Sequence, residues 1–277
     1  PGYGGGAINH AITWLPDLGV YADTTTAGIA FGYLPPIVMD RPALLVDTGV
    51  LSRTPATQSK RRTARVAIDA VQPGAARFHA LVEDDGWTAE LERTLFRRAV
   101  PDRIRQLANE RLRQSGLRGR AQIATSDRRA TDGPFDVTYA GTLDHFVWPD
   151  GTTAVPALSS LTGGIATQVE GWLAEPVRTQ PWTCVGGTFD ETGQIALPAD
   201  VAVTDLPVDT AVHDRFVDFT SHYVFDAAAR VVQVERRMKA EFGRQVCTPD
   251  EFTALRASLE RIERDTQAQI VVRARQR

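Results

Sequence analysis

His10 and Asp23 are the residues of this chain whose types and spacing suit chemistry. A histidine held by a carboxylate takes a proton from a nucleophile and returns it to a leaving group. The spacing follows from a strand–turn–strand pattern. Ile8, His10, Ile12 and Trp14 alternate with Asn9, Ala11 and Thr13, the period of a strand. Leu15-Pro16-Asp17-Leu18 suits a type I turn with Pro at its second position. If Trp14 and Gly19 close a four-residue loop, Thr13 faces Val20, Ile12 faces Tyr21, Ala11 faces Ala22 and His10 faces Asp23. Directly opposed residues have Cβ atoms roughly 5 Å apart, within reach of a carboxylate–imidazole hydrogen bond. Such a bond fixes the tautomer and stabilises the imidazolium, leaving the other ring nitrogen as a base. The same spacing also fits a hairpin whose His–Asp pair is incidental.

A base and its orienter need a nucleophile. The chain begins only nine residues before His10, and Pro1 is not a natural start, so the sequence reads as the back half of an enzyme. Cys184 and Cys247 are its only cysteines and both lie far downstream. Cys247 stands just before a capped helix, but in a different part of the chain. The two cysteines suit either a disulfide, if the strands near Trp182 and Arg230 are neighbours, or two separate buried thiols. His79, His145, His213 and His222 stand singly, without metal-ligand spacing, and no metal or cofactor is expected. Gly4-Gly5-Gly6 is not a phosphate loop, because no Gly-Lys-Ser/Thr follows and a strand comes next. Tyr3, Trp14 and Tyr21 suit either a substrate cleft or the core.

The elements around the hairpin divide the chain at a polar stretch. Residues 1–50 hold the hairpin and a Pro-rich exit (Leu34-Pro35-Pro36, Arg41-Pro42); Ser52 to Arg65 reads as a loop or linker whose Lys60-Arg61-Arg62 run is a solvated face; and 64–277 form a β-rich region. A three-strand meander is expected from Ala64, with strands through Val66–Ala70, Phe78–Val82 and Trp87–Leu91. A helix follows near 102–115, with Ile104, Leu107, Ala108 and Leu112 on one face. Strands are expected at Phe135–Tyr139 and Leu143–Trp148, while Val155–Leu173 is ambiguous. Further strands run from Trp182 to Leu197, broken at Gly186-Gly187 and Gly193, and over Asp214–Phe225 and Arg230–Phe242. Thr248-Pro249-Asp250-Glu251 is a capping box opening a helix near 249–266, and Gln269–Arg273 is a closing strand. The fold class expected is α+β with a mostly antiparallel sheet and two amphipathic helices.

With 277 residues and 43% hydrophobic content the chain can bury one large core or two smaller ones. A net charge of −3 gives no pull toward nucleic acid. No apolar run approaches a membrane span, and no signal peptide is present. Lys60 and Lys239 are the only lysines, which makes the chain a poor amine donor for cross-linking to itself.

His10-Ala11-Ile12-Thr13-Trp14-Leu15-Pro16, Tyr21-Ala22-Asp23-Thr24-Thr25 and Ala30-Phe31-Gly32-Tyr33-Leu34-Pro35 together resemble the end of a bacterial transglutaminase-like domain, in the papain-like cysteine enzyme superfamily. The group most similar comprises envelope proteins in which a domain of unknown function precedes that domain. Thr25, Ala30 and the Gly4-Gly5-Gly6-Ala7 lead-in depart from the pattern without removing a catalytic group. Scattered segments resemble the C-terminal β-rich region of the same proteins: Ile195-Ala196-Leu197-Pro198, Ser221-His222-Tyr223, Val234-Glu235-Arg236-Arg237, Val246-Cys247-Thr248-Pro249 and Ile262 to Ile270. The resemblance implies that His10 and Asp23 are the catalytic His and Asp of a Cys-His-Asp triad whose Cys precedes them. It also implies amide hydrolysis or acyl transfer on a protein or peptide substrate, and a periplasmic or cell-envelope location. The fragment alone would then be inactive. The alternative is a non-catalytic β-rich envelope scaffold or binding module, since most residues lie outside the hairpin. Oligomeric state is not legible.

Overall fold

The computed structural model describes residues 9–25, 29–56, 58, 60–72, 74–148, 151–158 and 160–274. Ile8, Tyr3 and the glycine lead-in therefore lie outside the described residues, as does Pro73 of the expected Gln72-Pro73-Gly74 turn. The fold is α+β, with a strand-rich and mostly antiparallel sheet.

The N-terminal segment forms two separate hairpins, β1 (Thr13–Leu15) with β2 (Val20–Ala22) and β3 (Pro42–Leu45) with β4 (Val50–Arg53). They share a small core of Tyr21, Leu34 and Met39, with Ile12, Trp14, Val38, Ala43 and Leu45 packed against it. The linker expected over Ser52–Arg65 is corrected at both ends, and β4 runs across the boundary expected at residue 50: Ser52 and Arg53 belong to β4. Lys60 opens β5 (Lys60–Gln72), which pairs with β6 (Ala75–Gly86). Its basic run is no solvated face, because Arg62 is turned inward and paired with Asp84 of β6.

The third meander strand is also corrected. Trp87–Arg98 is a helix, α1, followed by α2 (Pro101–Gln114). Trp87, Ala89 and Leu91 mimic a strand period, but the buried face runs Trp87, Glu90, Arg93, Phe96 at helical spacing. Two of those four are charged, so the apolar pattern misreads the segment. Next come β7 (Gly119–Thr125) and β8 (Phe135–Asp144). β8 is one strand where two were expected: it runs on past Tyr139 to Asp144, with Gly141 leaving room for the Arg120 carbonyl of β7, and residues 145–148 are not strand. The ambiguous segment resolves into β9 (Thr152–Pro156), a short turn of 3-10 helix and α3 (Gly164–Leu173).

The chain closes with β10 (Trp182–Thr183), β11 (Gly187–Ala196), β12 (Val201–Asp205), β13 (Thr210–His213), β14 (Val217–Asp226), β15 (Val231–Ala240), β16 (Val246–Cys247), α4 (Pro249–Thr266) and β17 (Gln269–Ala274). Gly193 does not break β11, where it leaves room for the Leu158 side chain. Besides the two expected helices, α1 and α3 are additional.

Eight strands make the main sheet in the order β13-β14-β15-β11-β5-β6-β8-β7. Only β5 and β11 run parallel within it. A smaller sheet, β12-β17-β9, and the helices cover one face. The burial beneath them falls into two clusters. One joins β5, β6 and β8 to α1, α2 and the small sheet. The other joins β11, β14 and β15 to α3 and α4 around Trp172, Trp182 and Phe252.

A polar row lies on the same face between the two clusters. Ser221, Arg236 and Glu191 stand opposite one another across β14, β15 and β11, and Arg62 stands opposite Asp84 across β5 and β6. Arg62 also pairs with Glu92, and Asp265 of α4 accepts from Arg236 Nε (3.0 Å), Tyr223 Oη (2.7 Å) and Ser221 Oγ (2.5 Å). Glu191 is buried under the start of α3 and accepts the Ile165 N–H at 2.8 Å. Gly164 at that point has φ 59, and a Cβ there would strike the Glu191 carboxylate. The row is buried because its charges are partnered, as the cost of desolvating an isolated ion requires.

Candidate active site

The β1–β2 hairpin keeps a four-residue loop, but the loop lies one residue further along the chain, so each residue faces a partner two positions later than expected. Leu15 pairs with Val20, Trp14 with Tyr21 and Thr13 with Ala22, so the loop is Pro16-Asp17-Leu18-Gly19. Gly19 closes it at φ 63, which a residue without Cβ adopts readily. His10 and Asp23 are therefore not directly opposed, as the expected pairing had them. A shift of two keeps every side chain on its face, whereas a shift of one would have separated the pair. His10 Nε2 lies 3.0 Å from Asp23 Oδ2. The strand ladder stops at Thr13, and His10 itself is irregular.

Asp23 is the anchored member. Its side chain is 2% exposed while that of His10 is 35% exposed. The carboxylate oxygen Oδ1 accepts the Thr25 backbone N–H at 2.9 Å and the Thr25 hydroxyl at 2.6 Å. Burial pushes the Asp23 pKa up, but the Thr25 hydroxyl, the Thr25 N–H and His10 outweigh it, and the result lies below the ordinary carboxylate value. Asp23 is therefore ionised at neutral pH and orients the Nε2–H tautomer of His10. Nδ1 has no hydrogen-bond partner among the described residues and is the nitrogen left for proton transfer.

Trp14 and Tyr21 stack at 4.5 Å between ring centroids, and the Tyr21 hydroxyl donates to Ser52 Oγ at 2.9 Å. Both rings serve the small core rather than an open cleft. The hairpin unit is tied to the rest of the protein by Glu90, whose Oε2 accepts the Ala30 N–H at 2.7 Å. Gln58 brackets both backbone groups of Leu34 at 2.7 Å.

Two other His–Asp pairs provide a comparison. His213 Nδ1 lies 3.1 Å from Asp218 Oδ1, and His222 Nδ1 lies 2.5 Å from Asp209 Oδ2. Their carboxylates are 66% and 53% exposed. Pairing alone thus does not distinguish His10; a buried, twice-anchored carboxylate does. No family model, curated protein or solved structure matches this chain.

Neither cysteine serves the pair. Cys184, the residue after β10, and Cys247 of its partner strand β16 are joined in a disulfide; the strands expected to be neighbours do pair, as β11 and β15, but the bond lies outside that pair. Among the described residues no three His, Cys, Asp or Glu side chains gather as a metal requires. No helix among them is long and apolar enough to cross a membrane. Sequence reasoning missed Thr25, although an Asp followed two residues later by a hydrogen-bonding Thr is the signal of an Asx-type turn. It also missed the buried ionic row, which carries no motif.

Proposed function

We propose that the hairpin is the base half of a transglutaminase-like Cys-His-Asp site acting on amide carbonyls. The observation that supports this reading is the asymmetric geometry of the pair: Asp23 is buried and held by two bonds from Thr25, and His10 is partly exposed, its Nδ1 without a hydrogen-bond partner among the described residues. With both of the chain's cysteines in the disulfide, the thiol comes from outside these 277 residues. His10 Nδ1 takes the thiol proton and the thiolate attacks the carbonyl carbon. The leaving amine then departs with the proton from His10, and Asp23 balances the imidazolium throughout. Water or an amine attacks the thioester in a second step, with His10 again as base.

The test compares the 277-residue chain with a longer chain that includes whatever precedes it in its gene. Ammonia release from, and fluorescent-amine incorporation into, glutamine-containing peptides are followed. The longer chain is expected to be active and iodoacetamide-sensitive, with His10→Ala lowering the rate by about 100-fold or more. The shorter chain is expected to be inactive. An unchanged rate in His10→Ala, or thiol-dependent turnover by the shorter chain, overturns the reading.

A further inference from the structure

A second site stands apart from the hairpin, where β7 and β8 meet β9. A cleft of about 270 Å³ opens there, lined by Arg118, Leu143, Asp144, His145, Trp148 and Thr153 among others. Its wall is an aromatic platform. The His145 and Trp148 rings stack at 4.7 Å between centroids and 17° between planes. Trp87, Trp172 and Trp182 are buried and Trp14 is half-buried, whereas Trp148 is 49% exposed. A tryptophan left open above a cleft is a large apolar surface that folding has not used.

The platform is held by its backbone. His145 N–H donates to the Gly74 carbonyl and Gly74 N–H to the Val147 carbonyl, each at 2.7 Å. Trp148 N–H donates to Thr153 Oγ1 at 3.0 Å, and Asp144 N–H to the Arg118 carbonyl at 2.9 Å. His145 has φ 56, in the left-handed region that residues with a Cβ seldom adopt. The loop therefore presents its two rings at a conformational cost that its neighbours sustain.

The charges beside the platform restrict the ligand. Neither the Arg118 guanidinium nor the Asp144 carboxylate has an ion-pair or hydrogen-bond partner among the described residues. A carboxylate at the rim repels phosphates and nucleic acids, and a lone arginine with a lone aspartate gives no preference for a purely apolar molecule. The groups together suit a neutral ligand with one apolar face and an edge of hydroxyls. We propose that this cleft is a saccharide-binding subsite. One sugar ring stacks its C–H face on Trp148 while its hydroxyls donate to Asp144 and accept from Arg118. The volume lies just below the range of about 300–1,000 Å³ of small-molecule sites, which fits one ring with the remaining units lying outside.

The chain is titrated with maltotriose, cellotriose and tri-N-acetylchitotriose by calorimetry and tryptophan fluorescence. At least one of the three is expected to bind saturably with a millimolar or tighter Kd and to perturb the Trp148 emission. Trp148→Ala is expected to weaken that binding by about tenfold or more, and Trp148→Phe, which keeps a ring, to retain most of it. Arg118→Ala and Asp144→Asn report independently of the ring, each expected to weaken binding several-fold without lowering the Tm. Three outcomes overturn the proposal. None of the three sugars binds; or binding survives in Trp148→Ala, Arg118→Ala and Asp144→Asn; or AMP binds in place of the sugars.

Discussion

The buried ionic row makes a quantitative prediction about which of its members the fold depends on most. Asp265 and Arg236 are each 2% exposed in their side chains and meet at 3.0 Å. Removing one partner of a buried pair costs about 3–5 kcal/mol, because the survivor stays desolvated. The two removals are not equivalent here. In Asp265→Ala, Arg236 keeps the Asp265 backbone carbonyl at 2.6 Å, the Tyr223 oxygen at 3.1 Å and the nearby negative charge of Glu191. The expected loss is at the low end, about 3 kcal/mol. In Arg236→Ala, two buried carboxylates, Asp265 and Glu191, lose the cation between them, and the expected loss is about 5 kcal/mol. At about 2–4 °C per kcal/mol for a domain of this size, the Tm falls by about 6–12 °C and about 10–20 °C respectively.

Urea unfolding followed by far-UV circular dichroism and by the fluorescence of Trp172 and Trp182, which sit in the adjoining core, measures both losses. The triple change Arg236→Met, Glu191→Gln, Asp265→Asn removes all three charges at similar volume and should recover most of the stability. Equal losses in the two single variants would refute the shared-cation argument. Losses below about 1 kcal/mol, the worth of an exposed pair, would refute the burial argument.

The remaining predictions concern carboxylates shifted in opposite directions. Burial, more than Arg236 and the Ile165 N–H, decides Glu191 and raises it above its ordinary 4.5. The folded state then binds more protons than the unfolded state between 4.5 and the folded value, so Glu191 makes stability fall as pH rises through that window. Glu191→Gln should flatten the dependence of Tm on pH there, and an unchanged slope would refute the assignment. Asp23 is lowered, so its contribution is present above 3.8 and lost as pH falls through the folded value. Thr25→Val removes one of the donors that lower it. Carboxyl-carbon NMR should find the Asp23 pKa raised, with a stability loss of about 1 kcal/mol near neutral pH; an unmoved Asp23 titration would show that Thr25 does not hold it.

What was legible in the sequence was what neighbours along the chain decide. α4 begins at Pro249 as expected because its signal is local: Thr248 Oγ1 accepts the Glu251 N–H at 3.3 Å, and Glu251 Oε2 accepts the Thr248 N–H at 2.9 Å. α1 was misread because its buried face is satisfied from afar. Glu90 reaches the Ala30 N–H, and Arg93 reaches the carbonyls of Asp132, Gly133 and Pro134. A charged residue with a distant partner looks in the sequence like a solvated one, and Lys60 to Arg62 was misread for the same reason.

The hairpin followed the same logic with a different outcome. Its register differs by two from the expected one, yet His10 and Asp23 are joined. Strand parity, which the sequence carries, decides whether His10 and Asp23 share a face, while loop closure decides only how directly they oppose. What parity cannot supply is the difference between Asp23 and the exposed Asp209 and Asp218, each of which also meets a histidine. That difference comes from Thr25 and from the burial of the Asp23 side chain. A carboxylate left in water would exchange its imidazole freely; one fixed by Thr25 holds the ring in a single tautomer. The chemistry proposed for His10 therefore depends on the residues that bury Asp23 as much as on the pair itself.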